Sequence, residues 1–173
     1  MTSRQHDQDG GGGEPQAPWS EIVPRLWMGG HQWTDSAGTP QPAVVGSEFD
    51  LVVSLFSQPG HGPDPQVRHL VSEFPDGRLT TEQIRTVQEL ARTTADAVRD
   101  GLTVLVRCQS GYNRSGLVVA QTLIETGLTA AEAVELIRLK RSPWALANPT
   151  FEQYLATGLD VAYLLTGLDE TAG

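Results

Sequence analysis

Apolar residues come in short runs over the first half of the chain and recur at helical spacing over the second. Arg25-Leu26-Trp27-Met28 ahead of Gly29-Gly30 predicts a short strand, Leu51-Val52-Val53-Ser54-Leu55 a buried one, and residues 69–74 a third. Residues 35–47 and 57–66 separate these runs and are rich in glycine and proline, which disfavour regular elements, so both segments are expected to be loops. Thr80 with Gln83 three positions later is a capping box, and Ile84, Val87, Ala91 and Val98 then follow at helical spacing as far as Asp100-Gly101. The β-branched run Thr103-Val104-Leu105-Val106 predicts a strand, which leads through a glycine-containing turn into an apolar stretch from Leu117 to Ile124 ended by Gly127. Thr129 with Glu132 caps a further helix through Val134 and Ile137, closed by Arg138, Lys140 and Arg141, whose charge suits a helix C-terminus. Asn148-Pro149 pairs an N-cap with a first-turn proline and opens a helix expected to bury Phe151, Leu155 and Leu159.

Strands in the first half, helices in the second and one strand–loop–helix unit at the junction predict an α/β fold. The expected architecture is a single domain with a central mixed, largely parallel sheet of four to five strands, flanked by helices. A chain of 173 residues with 39% hydrophobic content holds one such core and no second domain. Residues 1–18, with glycine at positions 10–13 and polar neighbours, cannot bury enough apolar surface to offset chain entropy and are expected to be a disordered tail. The domain is then expected to span residues 19–165, with a C-terminal tail at 166–173.

The net charge of -9 disfavours nucleic acid and anionic membranes as partners, since both reward clustered cations. Neither a signal peptide nor an apolar run of membrane-spanning length is present, so the cytoplasm is the expected location. Lys140 is the only lysine among twelve basic residues, a bias that suggests a GC-rich, bacterial coding sequence. A single cysteine excludes an internal disulfide and a cysteine-rich zinc site, and no metal or other cofactor is expected.

Cys108 has to be explained alone. It follows a predicted buried strand, and Arg114 lies six positions on, at the start of the next helix. A tight turn through Gln109, Ser110, Gly111, Tyr112 and Asn113 would bring backbone N–H groups to one centre. The helix N-terminus adds positive potential, and Arg114 can grip two oxygens of an anion at once. Each of these terms favours both a bound phosphate and a thiolate. A lone cysteine at a strand end is otherwise a small buried hydrophobe, a reading that the company of Gly111, Arg114 and Ser115 outweighs.

This run from Cys108 to Ser115 resembles the signature of the protein-tyrosine phosphatase superfamily: cysteine, five residues, arginine, then serine or threonine. The stretch Gly111 to Gly116 is similar to its dual-specificity branch. The resemblance implies that Cys108 attacks phosphorus, Arg114 binds the phosphoryl oxygens, and the Ser115 hydroxyl eases departure of the thiolate from a phosphocysteine. It extends to residues 22–29 as an opening strand and 49–55 as the next core strand, and reaches to about Leu155. Where the family usually has histidine before the nucleophile, this sequence has Arg107, a permanent cation that either tunes the thiolate or points elsewhere.

Expelling an alkoxide requires an acid. Asp76, in Phe74-Pro75-Asp76-Gly77, resembles the acid on the family's mobile loop, although Pro-Asp-Gly is also an ordinary turn. Asp64 is the fallback. Asn148 resembles an asparagine that supports the phosphate loop in dual-specificity members, and as a helix N-cap it needs no such role. The loop positions Gln109, Ser110, Tyr112 and Asn113 carry no extra cations, which fits single phosphate monoesters better than polyphosphorylated lipids. The expected substrate is a phosphorylated protein, phosphotyrosine above all and phosphoserine or phosphothreonine as well. The alternatives are a noncatalytic phosphoprotein-binding module, a phosphatase of small metabolites, inositol phosphates or RNA 5′ ends, and a rhodanese-like cysteine loop.

Overall fold

The computed structural model describes residues 17–172. Residues 1–16, most of the expected tail, lie outside the described residues. The strands are β1 (Trp19–Val23), β2 (Leu26–Gly29), β3 (Gln32–Thr34), β4 (Pro40–Pro42), β5 (Leu51–Ser54), β6 (Arg68–Val71) and β7 (Val104–Arg107). The helices are α1 (Thr81–Arg99), α2 (Arg114–Glu125), α3 (Ala130–Lys140), α4 (Pro149–Thr157) and α5 (Leu159–Ala172).

Five strands form one sheet in the order β1-β2-β7-β5-β6, in which only the β1–β2 pair is antiparallel. Side chains alternate across a strand, so parity sorts the sheet residues into two sets. Leu26, Met28, Leu51, Val53, Val104 and Val106 join buried residues of all five helices in the main core. Trp27, Val52 and Leu105 face the other way, where Trp19, Val45, Phe49 and Val67 cover them without any helix. The expected single-domain α/β architecture with a mixed, mostly parallel sheet is the one observed.

The capping boxes at Thr80 and Thr129 are both formed, with side chain and backbone bonding reciprocally. Several elements differ from the pattern-based expectation. Residues 22–29, expected as one opening strand, are split: 22–23 end β1, which pairs antiparallel with β2 through a turn in which Arg25 adopts φ 72°. Part of the loop expected at 35–47 is β4, paired with β3 in a separate two-stranded sheet, because hydrogen bonding to a neighbour needs little apolar content at an edge. The strand expected at 69–74 ends at Val71, and Phe74 lies beyond it, buried against Phe151. The helix expected to run to Leu159 ends at Gly158, whose φ of 97° breaks it, and Leu159 begins α5 while remaining buried. The boundary placed at residue 165 falls inside α5, whose Glu170 accepts from the Thr81 backbone N–H at 3.0 Å and hydroxyl at 2.8 Å. No helix among the described residues is long and apolar enough to cross a membrane.

Candidate active site

The end of β7 delivers Cys108 to a buried position, 2% exposed, at the C-terminal edge of the parallel strands. Its backbone N–H donates to Gly29 O at 3.2 Å, which ties the start of the loop to the end of β2. The next turns hold the loop by its carbonyls. Gln109 O accepts from His31 N–H at 3.0 Å, Gly111 O from Arg141 Nε at 3.2 Å, and Tyr112 O from Leu146 N–H at 3.1 Å. In a trans peptide the N–H points opposite to the C=O. The outward carbonyls therefore turn the N–H groups of Ser110, Tyr112 and Asn113 toward the inside of the loop, as an anion cradle needs. Gly111 makes this path possible: its φ is 76°, and a Cβ there would stand 2.6 Å from Gly29 C.

Arg114 is the first residue of α2, so the helix dipole and the guanidinium share one origin. Its Cζ lies 5.6 Å from the centroid of the Phe56 ring, and its buried Nε has no hydrogen-bond partner in the structure. A phosphoryl oxygen is the kind of acceptor such a donor would take. Ser115, fully buried, places Oγ 3.2 Å from Cys108 Sγ.

Asp76 is exposed on the turn after Phe74, and both its oxygens are engaged by side-chain amides, one at the end of the loop and one at the cap of α4. Asn113 Nδ2 donates to Oδ2 at 3.0 Å and Asn148 Nδ2 to Oδ1 at 2.6 Å. The backbone N–H of Asn148 donates to Asn113 Oδ1 at 3.2 Å, closing a ring of three residues. Asn148 also caps α4, accepting through Oδ1 from the N–H groups of Thr150 and Phe151. Asp64 sits elsewhere, on the 57–66 loop, with its N–H donating to Gly46 O.

Arg107 is brought to β7 next to Cys108, but its guanidinium is directed away from the loop. All three nitrogens donate elsewhere: Nε to Ser54 Oγ at 2.9 Å, Nη1 to His61 O at 2.8 Å and Nη2 to Gly62 O at 2.6 Å. Burial lowers its pKa to about 10, so it remains a cation at neutral pH.

The pattern-based reading missed Arg141, taken only as a charge suited to a helix end. It is buried beneath the loop, and Nη1 donates to Ser20 Oγ at 3.3 Å while Nε donates to Gly111 O. Burial lowers its pKa to about 10, against the opposing pull of Tyr112 and Cys108. Nothing local distinguishes it from Arg138 or Lys140; only the return of the chain past the loop does. His31, likewise unremarked, is 1% exposed and shares a 3.2 Å contact between ring nitrogens with His61. A cavity of about 330 Å³ opens on the hairpin side of the loop, lined by Trp33, Gln58, Gln109, Ser110 and Tyr112 among others.

No family model matches the chain, and no curated protein does. Solved structures do. Human DUSP28 is 24% identical with a TM-score of 0.67, covering 87% of this chain and 98% of its own. Tk-PTP in its active form is 24% identical with a TM-score of 0.58, covering 82% and 95%. The human tyrosine phosphatase-like serine/threonine/tyrosine-interacting protein is 20% identical with a TM-score of 0.57, covering 84% and 97%. The fold is therefore that of the dual-specificity phosphatases.

Proposed function

We propose that this chain is a cysteine-dependent phosphatase of the protein-tyrosine phosphatase superfamily that hydrolyses phosphate monoesters on proteins, phosphotyrosine first. The observation that carries this reading is the buried Cys108 thiol, 3.2 Å from the Ser115 hydroxyl, at the base of a loop that ends on Arg114 and a helix N-terminus. The fold shared with dual-specificity phosphatases supports it.

In this mechanism the Cys108 thiolate attacks phosphorus while the P–O bond to the leaving group breaks, and Asp76 gives its proton to the departing oxygen. Arg114 and the loop N–H groups hold the three equatorial oxygens, whose charge is the main thing to be stabilised in phosphoryl transfer. Water then attacks the phosphocysteine, its proton passes to the Asp76 carboxylate, and the P–S bond breaks to return the thiolate. The Ser115 hydroxyl donates to that thiolate as it forms. Every proton and electron pair is accounted for by these groups, so the scheme calls for no metal or cofactor. The loop positions Gln109, Ser110, Tyr112 and Asn113 carry no extra cations, which suits a single phosphate on a protein side chain, and the acidic chain disfavours an RNA end.

The test is hydrolysis of an aryl phosphate in EDTA by the wild type and by Cys108→Ser and Asp76→Asn, with acid quench to trap phosphocysteine. Turnover that disappears with Cys108→Ser and falls with Asp76→Asn is expected. Tight phosphopeptide binding without turnover would instead favour a noncatalytic binding module.

A further inference from the structure

The ring formed by Asp76, Asn113 and Asn148 joins three separate parts of the chain: the turn before α1, the last residue of the 108–113 loop, and the cap of α4. Neither asparagine is in place for its local role alone. Asn113 occupies the N-cap position of α2, where an asparagine side chain ordinarily accepts from the helix's first N–H groups, yet it makes no such bond. Its amide reaches Asp76 and its carbonyl oxygen accepts from Asn148. Asn148 does cap α4, but only its oxygen is needed for that, and its NH2 group is directed to Asp76 at 2.6 Å. An exposed carboxylate on a Pro-Asp-Gly turn would otherwise sample many rotamers. Two donors, one on each carboxylate oxygen, hold it at the rim of the loop that holds Cys108.

We propose that Asn113 and Asn148 are positioning residues for Asp76: their side-chain amides hold the carboxyl group at the rim of the phosphate loop, where a leaving-group oxygen would emerge. This inference rests on the phosphatase reading above. Because Asn113 also belongs to the loop, the acid's place is set by the element that holds the phosphate, and the two catalytic parts keep a fixed spacing. The backbone behind Asp76 is fixed too, by Phe74 against Phe151 and by the Leu79 N–H donating to Tyr154 Oη at 3.0 Å. Three of these supports, Asn148, Phe151 and Tyr154, come from α4 and its cap, so that helix acts as the acid's platform.

The test exploits the fact that an acid matters most for a poor leaving group. The second-order rate constant is measured for p-nitrophenyl phosphate, which expels a weak base, and for phenyl phosphate, which expels a stronger one. The enzymes are the wild type, Asp76→Asn, Asn148→Asp and Asn113→Ala, with the double variant Asp76→Asn/Asn148→Asp. Asn148→Asp is chosen because aspartate keeps the oxygen that caps α4 while it replaces the amide donor by a carboxylate that repels Asp76, which separates positioning from helix stability; Asn113→Ala removes a donor without adding a charge and controls for that repulsion. General acids contribute about 10²–10⁴ in rate. Asp76→Asn is expected to lose a large part of this on phenyl phosphate. Asn148→Asp and Asn113→Ala should each lose at least about tenfold more on phenyl phosphate than on the nitrophenyl ester. The double variant should fall no further than Asp76→Asn, since positioning is worthless once the acid is gone. If Asp76→Asn shows the leaving-group dependence while the asparagine variants slow both esters equally, the positioning role is overturned and the phosphatase reading stands. If Asp76→Asn shows none, the assignment of Asp76 as acid fails and the positioning role fails with it; a wild type that turns over neither ester would overturn the phosphatase reading itself.

Discussion

Arg107 donates from Nε to Ser54 Oγ across 2.9 Å, joining two residues that face each other in the register of β7 and β5. The same guanidinium holds His61 O and Gly62 O, so the residue before Cys108 clasps the 57–66 loop to the sheet. Removing it would leave two carbonyls and a buried hydroxyl short of a charged donor. Arg107→Met is expected to cost about 3 kcal/mol of stability, as for other broken buried charge networks. Arg107→Lys should recover little, because an ammonium cannot reproduce the three-way fork. Urea denaturation reads both, and an unchanged midpoint in Arg107→Met would show that the clasp is not holding the loop.

His31 gives the fold an acid sensitivity. Burial, the largest cause, lowers its pKa from 6.5 to about 4, with Arg107 and His61 adding to the effect and the contact with Phe56 O opposing it. His69, bonded to Ser54, is shifted down as well by burial and Arg107. The folded protein keeps His31 neutral while the unfolded chain takes up a proton below pH 6.5, so stability is full above that pH. It falls as the pH drops from 6.5 toward 4, by ~3 kcal/mol for His31 alone. Unfolding midpoints across that window should fall with acid, and His31→Gln should flatten the dependence. An equally steep fall in the variant would assign the effect to other groups.

Gly111→Ala should damage the site more than the fold. The new methyl group would meet Gly29 backbone at 2.6 Å and force a side chain into φ 76°. Relief requires the loop to move, which tilts the inward N–H groups. Phosphate or vanadate affinity is expected to fall at least about tenfold, or ~1.4 kcal/mol, with a smaller change in melting temperature than Arg107→Met produces. Isothermal titration of wild type and variant decides it.

Ser115→Ala removes the hydroxyl that lies 3.2 Å from the Cys108 sulfur. If that hydroxyl supports the departing thiolate, the second half of the reaction slows while the first does not. Steady-state turnover is expected to drop by about 10²-fold, as when another single transition-state donor is lost. Acid-quenched samples should contain more phosphocysteine than the wild type. A variant that loses turnover without accumulating the intermediate would place Ser115 in loop packing alone.

The chain carries its local instructions openly. The capping boxes at Thr80 and Thr129, the Asn148-Pro149 start and the β-branched run into Cys108 each form as their residues demand, because caps and periodicity act over three or four positions. The loop from Cys108 to Ser115 is legible for the same reason, since its cysteine, glycine, arginine and hydroxyl are contiguous. β1 and the β3–β4 hairpin were not legible, because their pairing depends on partners and their own sequences are half-polar.

What surrounds the loop was settled in three dimensions. Residues 107 and 141 are both arginine, and sequence spacing alone gives no reason to send one toward the 57–66 loop and the other under Gly111. Asp76, Asn113 and Asn148 are likewise an ordinary turn residue, a loop residue and a helix cap until the fold brings them within 3.2 Å of one another. The sequence by itself determined the elements and the candidate nucleophile, through forces that fall within one turn of chain. Only the tertiary structure decided which distant donors meet which acceptors: burial leaves Arg107 and Arg141 to bond within the protein, while the packing of α4 and its cap beside the turn before α1 brings the exposed Asp76 to its two amides.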